Sequence, residues 1–225
     1  MRIKSLNYMD KSKLYINELY EYASLMDIPK EGFINAKNLN EYVATAVDAY
    51  KGYSVFQYMY DGKYDEVELA QMLTIDYKSW IDRIAGMSVS QNYESIVLLE
   101  PPNAKRVGML DYIRNATLPE FKLLFRPSLH RLEKFSKFAL KLRKQFLDER
   151  TWYFYIFATR HDAQGKKYGK RLMNVLLSFA EDRNYRICLE TNSDSNLSMY
   201  EHFGFKKMVS SCFNDSIVHY VMLFG

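Results

Sequence analysis

The sequence predicts a single α/β domain. The apolar residues switch repeatedly between a period near 3.6 and a period of two. The C-terminal third runs strand, loop, helix, strand, helix, strand, strand, which makes a βαβ crossover finishing in a hairpin. The length of 225 residues, 48% of them hydrophobic, suffices for one sizeable core and argues against disorder.

Taken in chain order, "RIKSLNY" has the alternation of a first strand. In "LNEYVATAVDAYKG" one helical stripe holds Leu39, Tyr42, Val43, Ala46 and Tyr50, and Gly52 stops it. "DEVELAQMLTIDYKSWIDRIAG" predicts a helix with acids in its first turn and Gly86 at its end. Strands at Met87–Gln91 and Ser95–Glu100 follow, joined at "NYE" as a tight hairpin, and "PPN" stops the second because proline cannot donate to a ladder. After a short helix near Lys105–Asn115, "RPSLHRLEKFSKFALKLRKQFLDE" spaces Leu132, Phe135, Ala139, Leu142 and Phe146 by three and four along one face. "TWYFYIFATR" and "RICLET" read as interior strands flanking the helix "KKYGKRLMNVLLSFAEDRN". "SNLSMYEHFG" is a short helix closed by Gly204. Two last strands turn at Asn214-Asp215.

Composition narrows the function. No signal-peptide pattern opens the chain, so Cys188 and Cys212 are expected to be buried reduced thiols in a cytoplasmic protein. No apolar run reaches the roughly 18 residues of a membrane span. The net charge is +4, yet Arg126–Arg150 alone carries eight basic and three acidic residues, a net of +5. Such a run suits either a nucleic-acid surface or one solvated helix face. The basic residues lie mostly opposite the apolar stripe, which favours the solvated face, and no nucleic-acid partner is expected.

The stretch "DAQGKKYGKRL", Asp162–Leu172, is the chemical signal. It joins the end of a buried strand to a helix N-terminus, where free N–H groups and the helix dipole welcome an anion. Gly165 and Gly169 let the backbone approach a ligand, and Lys166, Lys167, Lys170 and Arg171 add charge. A Walker A loop needs four residues between its glycines and then Lys-Ser/Thr; here three intervene and Arg171 replaces the hydroxyl. The G-x-G-x-x-G of a dinucleotide turn is also missing. An ordinary βα turn with lysines in water remains the plainer alternative.

Together, "TWYFYIFATRHDAQGKKYGKRL" and "LETNSDSNLSMYEHFGF" resemble the cofactor-binding half of the GNAT acyltransferase superfamily. There a strand leads into a Gln/Arg-x-x-Gly-x-Gly/Ala loop, and a later strand leads to an Asn and a Tyr-Glu-x-x-Gly-Phe segment. Strand, loop, "LET", Asn, "YE" and "GF" are also similar to the puromycin N-acetyltransferase-like subgroup, as is "LLEPPN". The resemblance spans about a quarter of the chain, Trp152 to Met208. Two positions depart from the pattern: Lys167 stands at the loop's first glycine, and His161 at its frequent proline. Gln164 and Gly169 match.

The resemblance implies a GNAT fold: a mixed central sheet flanked by helices, with strands splayed at the cofactor cleft. It implies an acceptor-side variable half, 1–126, and a cofactor-binding half, 127–225. It further implies acetyl-CoA, held by loop N–H groups from Gly165 through Lys166, Lys167, Tyr168 and Gly169 to Lys170, with Gln164 beside them. The strand end Phe157, Ala158, Thr159 would pair with the pantetheine arm, an N–H near Ala158 would polarise the acetyl carbonyl, and Asn196 would bond a pantetheine amide. No metal is expected, because the loop lacks the hydroxyl a magnesium-nucleotide site requires. Tyr200 matches the tyrosine that protonates the departing thiolate; Glu190 is the candidate base, with His161 and His219 behind it. The expected activity is N-acetylation of a small-molecule or peptide amine by a monomer or homodimer. The alternative is a CoA-binding regulatory domain without turnover.

Overall fold

The computed structural model describes residues 11–225. The expected strand "RIKSLNY" lies outside the described residues. The helices are α1 (Lys11–Leu25), α2 (Leu39–Tyr50), α3 (Ser54–Met59), α4 (Glu66–Trp80), α5 (Met109–Asn115), α6 (Leu118–Phe121), α7 (Pro127–Arg143), α8 (Tyr168–Arg183) and α9 (Asp194–His202). The strands are β1 (Ala85–Ser88), β2 (Ser95–Glu100), β3 (Thr151–Thr159), β4 (Arg186–Thr191), β5 (Lys206–Phe213) and β6 (Ile217–Phe224), in the spatial order β1-β2-β3-β4-β6-β5. Among the described residues only β3 and β4 run parallel, joined through α8; every other neighbouring pair is antiparallel.

The sheet is covered on both faces, which is why its inner strands read as unbroken apolar runs. Along β2, Val97 and Leu99 face α1 and α8 beside Leu19, Leu172 and Phe179, whereas Ile96 and Leu98 face α2 and α4 beside Tyr42, Leu69 and Tyr77. Phe135 and Ala139 of α7 pack on Phe213 and Ile217 at the far end of the β5–β6 hairpin. Asn214 and Asp215, both at positive φ, turn that hairpin.

Several sequence expectations shift. The helix α1 is an addition; its buried stripe is just Ser12, Ile16, Leu19 and Ala23. Helix α4 ends at Trp80 rather than Gly86, which sits in β1 so close to its surroundings that a Cβ would fall 2.6–2.7 Å from Ile34 and Leu98. The β1–β2 connection spans 89–94, longer than a tight turn at "NYE". Cys188 is buried as expected, but Cys212 is exposed on the edge strand β5. The basic face of α7 is not wholly solvated, since Arg131 donates to the Met59 carbonyl at 2.7 Å and Arg143 turns inward.

Two irregularities of β3 open the site. Its ladder to β4 holds just three pairs, Thr151–Arg186, Trp152–Ile187 and Tyr153–Cys188, after which the strands part. A bulge against β2 between Leu98 and Leu99 leaves Tyr155 as the extra residue. As a result Tyr155 and Ile156, consecutive in sequence, both pack toward the α2–α4 side, while Phe154 and Phe157 pack on the other.

Candidate active site

Where β3 and β4 part, a cleft of about 1360 Å³ runs between them, from the start of α8 to helices α2, α4 and α7. Strand alternation decides which β3 groups face it. The Arg160 N–H donates to the carbonyl of Glu94, the residue before β2, so Arg160, Ala158 and Ile156 direct their backbone polar groups to the β2 side. The N–H and C=O of Phe157 and Thr159 then point to the open edge. Of the three strand residues expected to hold a ligand, Ala158 therefore lines the cleft with its side chain, and its N–H is not the one aimed at it.

The loop after β3 is built for close approach. Lys167 adopts φ 68°, ψ 9°, the left-handed conformation that glycine takes most easily, so this lysine keeps the backbone path of the expected glycine. Gly165 is also left-handed, at φ 76°. Tyr168, Gly169 and Lys170 form the first helical positions of the sixteen-residue α8, whose N–H groups have no acceptor within the helix. A Cβ on Gly169 would meet Thr159 Oγ1 at 3.2 Å and Phe157 Cζ at 3.4 Å, so the helix end and the open strand edge touch here. Gln164 Nε2 reaches back to the Thr159 carbonyl at 3.4 Å. Gln164, Gly165, Lys167, Tyr168, Gly169 and Lys170 all line the cleft; Lys166 does not, and its N–H donates to Ala163.

Tyr200, on the last turn of α9, is 6% exposed and packs against Phe157 and Phe205, with ring centroids 6.5 and 5.7 Å away. Burial, with a smaller contribution from Tyr53, pushes its phenol well above the usual value, so it keeps its proton at neutral pH. Asn196 also faces the cleft; the N-cap of α9 is Ser193, whose hydroxyl accepts the Asn196 N–H at 3.3 Å.

Glu190, at the end of β4, sits in the cleft floor with both oxygens engaged. Oε2 takes Arg143 Nη1 at 2.9 Å and the Tyr153 hydroxyl at 2.6 Å; Oε1 takes His219 Nε2 at 3.0 Å. Burial disfavours its charge, but the bonds from His219 and Tyr153 and the charge of Arg143 prevail and hold the carboxyl below the usual range. Asn192 Nδ2 donates to the Val218 carbonyl at 2.9 Å and lies 3.1 Å from His219 Nδ1. This makes Nδ1 the acceptor and puts the ring proton on Nε2, facing Glu190. Of the two histidines considered, His219 is thus a buried partner of Glu190, while His161 lies off the cleft and bonds Asp48 at 3.1 Å.

One acid emerges that the sequence reading lacks. Asp76 of α4 faces the cleft from its far wall and accepts the Tyr112 hydroxyl at 3.0 Å on Oδ1 and the Tyr155 hydroxyl on Oδ2. Burial outweighs these bonds and raises its carboxyl to about 6. Its sequence signal was positional: Leu69, Leu73, Asp76 and Trp80 follow each other by four, three and four, so an acid occupies a slot in an apolar stripe.

This arrangement meets known proteins in its C-terminal half. Residues 142–224 match the family model for the acetyltransferase (GNAT) domain. That segment, 83 of the 225 residues, is similar to a GNAT acetyltransferase domain. Among solved structures, a Corynebacterium glutamicum histone acetyltransferase HPA2 and related acetyltransferase shares the fold at TM-score 0.55 and 14% identity, covering 85% of this chain and 94% of that one. A Staphylococcus aureus N-acetyltransferase also gives TM-score 0.55, at 9% identity, covering 84% and 97%. The arylalkylamine N-acetyltransferase 2 of Aedes aegypti gives TM-score 0.51 and 12% identity, covering 85% and 97%. No curated protein matches the sequence. The match over 142–224 supports acyl transfer in general, and the mixed sheet with helices on both faces is the fold expected of it. Among the described residues, no helix is long and apolar enough to cross a membrane.

Proposed function

We propose that the protein transfers an acetyl group from acetyl-CoA to a primary amine by direct attack in the β3–β4 cleft. The observation that carries this reading is the close approach of Gly169 to the Thr159 and Phe157 side chains, where even a Cβ would be crowded, which sets the N-terminus of α8 beside the open end of β3. Tyr168, Gly169 and Lys170 would hold the pyrophosphate through their N–H groups, with Lys167 and Lys170 adding charge. The backbone of Phe157 and Thr159 would pair with the amide-bearing pantetheine arm as a neighbouring strand does. Asn196 would bond one of its amides.

Acetyl-CoA, when bound, supplies an acetyl group activated as a thioester. Tyr200 keeps the proton on its phenol oxygen at the cleft, and we assign it the donation of that proton to the leaving sulfur. Glu190 is held charged by three donors, so we assign it the positioning of β4, β6 and α7 around the cleft floor rather than proton abstraction. Calorimetry with CoA, followed by a screen of amines with acetyl-CoA that records free thiol, tests the proposal. Absence of CoA binding at millimolar ligand would sink it. CoA binding without thiol release across a broad amine panel would instead leave a regulatory binding domain.

A further inference from the structure

At the end of the cleft opposite the α8 loop, the walls change character. Tyr50, Phe56, Met72, Tyr112 and Tyr155 line it, and Asp76 is set among them. Tyr50 and Phe56 stack, with centroids 4.4 Å apart and planes at 22°. The Tyr50 phenol, pushed far above its usual value chiefly by burial, lies within electrostatic reach of Tyr53, Tyr200 and Asp76. Asp76 and Tyr200 line the same cleft, so the acid shares the cavity of the proposed transfer site rather than a remote pocket.

Asp76 differs from Glu190 in one respect that matters. Glu190 has Arg143 as a counter-charge, whereas no described Lys, Arg or His forms an ion pair with Asp76. Its two phenol partners supply hydrogen bonds but no positive charge. A carboxylate withdrawn from water without a cation is costly, and a cationic ligand removes that cost. Each phenol donates to one Asp76 oxygen and occupies one of that oxygen's lone pairs, which leaves the carboxylate acceptor capacity for a ligand. The surrounding rings offer an apolar seat and π-faces that favour an ammonium.

We propose that this end of the cleft recognises the acceptor as an apolar primary monoamine, with its ammonium on Asp76 and its body against Tyr50, Phe56 and Met72, and that Asp76 takes its proton. This deepens the acetyl-transfer reading and rests on it. In the proton step the N–H bond breaks, its electron pair stays on nitrogen, and the proton moves to an Asp76 oxygen. The neutral amine attacks the thioester carbonyl and the C–S bond breaks; the nitrogen then loses a second proton, which replaces the one Tyr200 gives to the sulfur, and Asp76 releases the first proton to solvent once the uncharged amide has left.

The test is a pair of direct binding titrations on the CoA-free protein near pH 8, with 2-phenylethylamine and its uncharged counterpart 2-phenylethanol. The wild type should bind the amine about 10- to 100-fold more tightly, the scale of one charged hydrogen bond. Asp76→Asn should lose that preference and keep its CoA affinity, because the α8 loop is untouched. Equal binding of amine and alcohol by the wild type overturns the proposal without any variant, as does a preference retained in Asp76→Asn. Tighter binding of a short glycine-rich peptide than of the amine also overturns it. Loss of CoA binding in the wild type defeats the acetyl-transfer reading alone, since the amine titrations need no CoA.

Discussion

Glu190→Gln separates a structural role from a catalytic one. The carboxylate accepts from three donors, and the pair with Arg143 is buried, with side chains 18% and 11% exposed. Glutamine keeps the shape but offers one oxygen and one NH2 group. Whichever way it turns, the NH2 meets either His219 Nε2–H or the donors Arg143 and Tyr153. The guanidinium, stacked 4.4 Å from the Tyr153 ring centroid, also loses its counter-charge. Removing one partner of a buried pair costs about 3–5 kcal/mol. For a chain of this size that lowers Tm by roughly 6–20 °C. The pH dependence has a definite sign. The folded carboxyl lies below the reference value of 4.5, so its stabilisation is present above 4.5 and is lost as the pH falls through the lower folded value. The gap between wild type and variant should therefore close on acidification below 4.5. Thermal melts between pH 3 and 8 decide. A loss below about 1 kcal/mol at pH 7 would mean that solvent screens the pair, and the reasoning would fail. A full-sized loss of turnover with unchanged Tm would return Glu190 to the role of base.

Other variants probe the rest of the cleft. Tyr200→Phe keeps the ring and its packing, so CoA should bind as before while turnover falls by roughly 10²–10⁴ with the acceptor KM nearly constant; full activity with a lower Tm would make Tyr200 a core residue. Gly169→Asp should weaken CoA by about 2–4 kcal/mol in calorimetry, since it adds a like charge where the anion sits; unchanged affinity would place the phosphate elsewhere. Lys167→Gly relieves a left-handed side-chain conformation and should raise stability by about 0.5–1 kcal/mol, read as a higher Tm; a drop would show that the lysine makes a compensating contact.

The parts of the molecule that local chemistry specifies were legible in the sequence. Asn214-Asp215 announced its hairpin because few other dipeptides accept positive φ twice. The glycines of the α8 loop and the apolar runs of β3 and β4 announced a strand-to-helix turn with close backbone approach. What remained hidden depends on partners distant in sequence. Arg143 lies four residues after Ala139, so it continues the buried row of α7, and only the folded chain reveals that Glu190 waits there. Counted as one of eight basic residues, it looked solvated. Asp76 was concealed in the same way within the stripe of α4. The bulge at Tyr155 leaves no mark in "TWYFYIFATR", because it arises from the register against β2 rather than from any residue that demands it. Lys167 shows the converse, since a side chain there does not prevent the backbone from taking the glycine path.

The three-pair ladder between β3 and β4 also has a mechanical meaning. The six strands act as two half-sheets, β1–β3 and β4–β6, joined by a short seam at one end and bridged by α8. Such a seam is a fulcrum. From Tyr153 to Thr159 the arm of β3 that has parted from β4, still paired with β2, is about 20 Å long at roughly 3.3 Å per residue. A rotation of about 5° at the seam would move the Thr159 end by nearly 2 Å, a few tenths of an ångström at Phe154, and hardly anything at Trp152 in the core. Such a rotation would widen the cleft's mouth for ligands of larger girth while leaving the packing around Trp152 and Phe179 nearly unmoved.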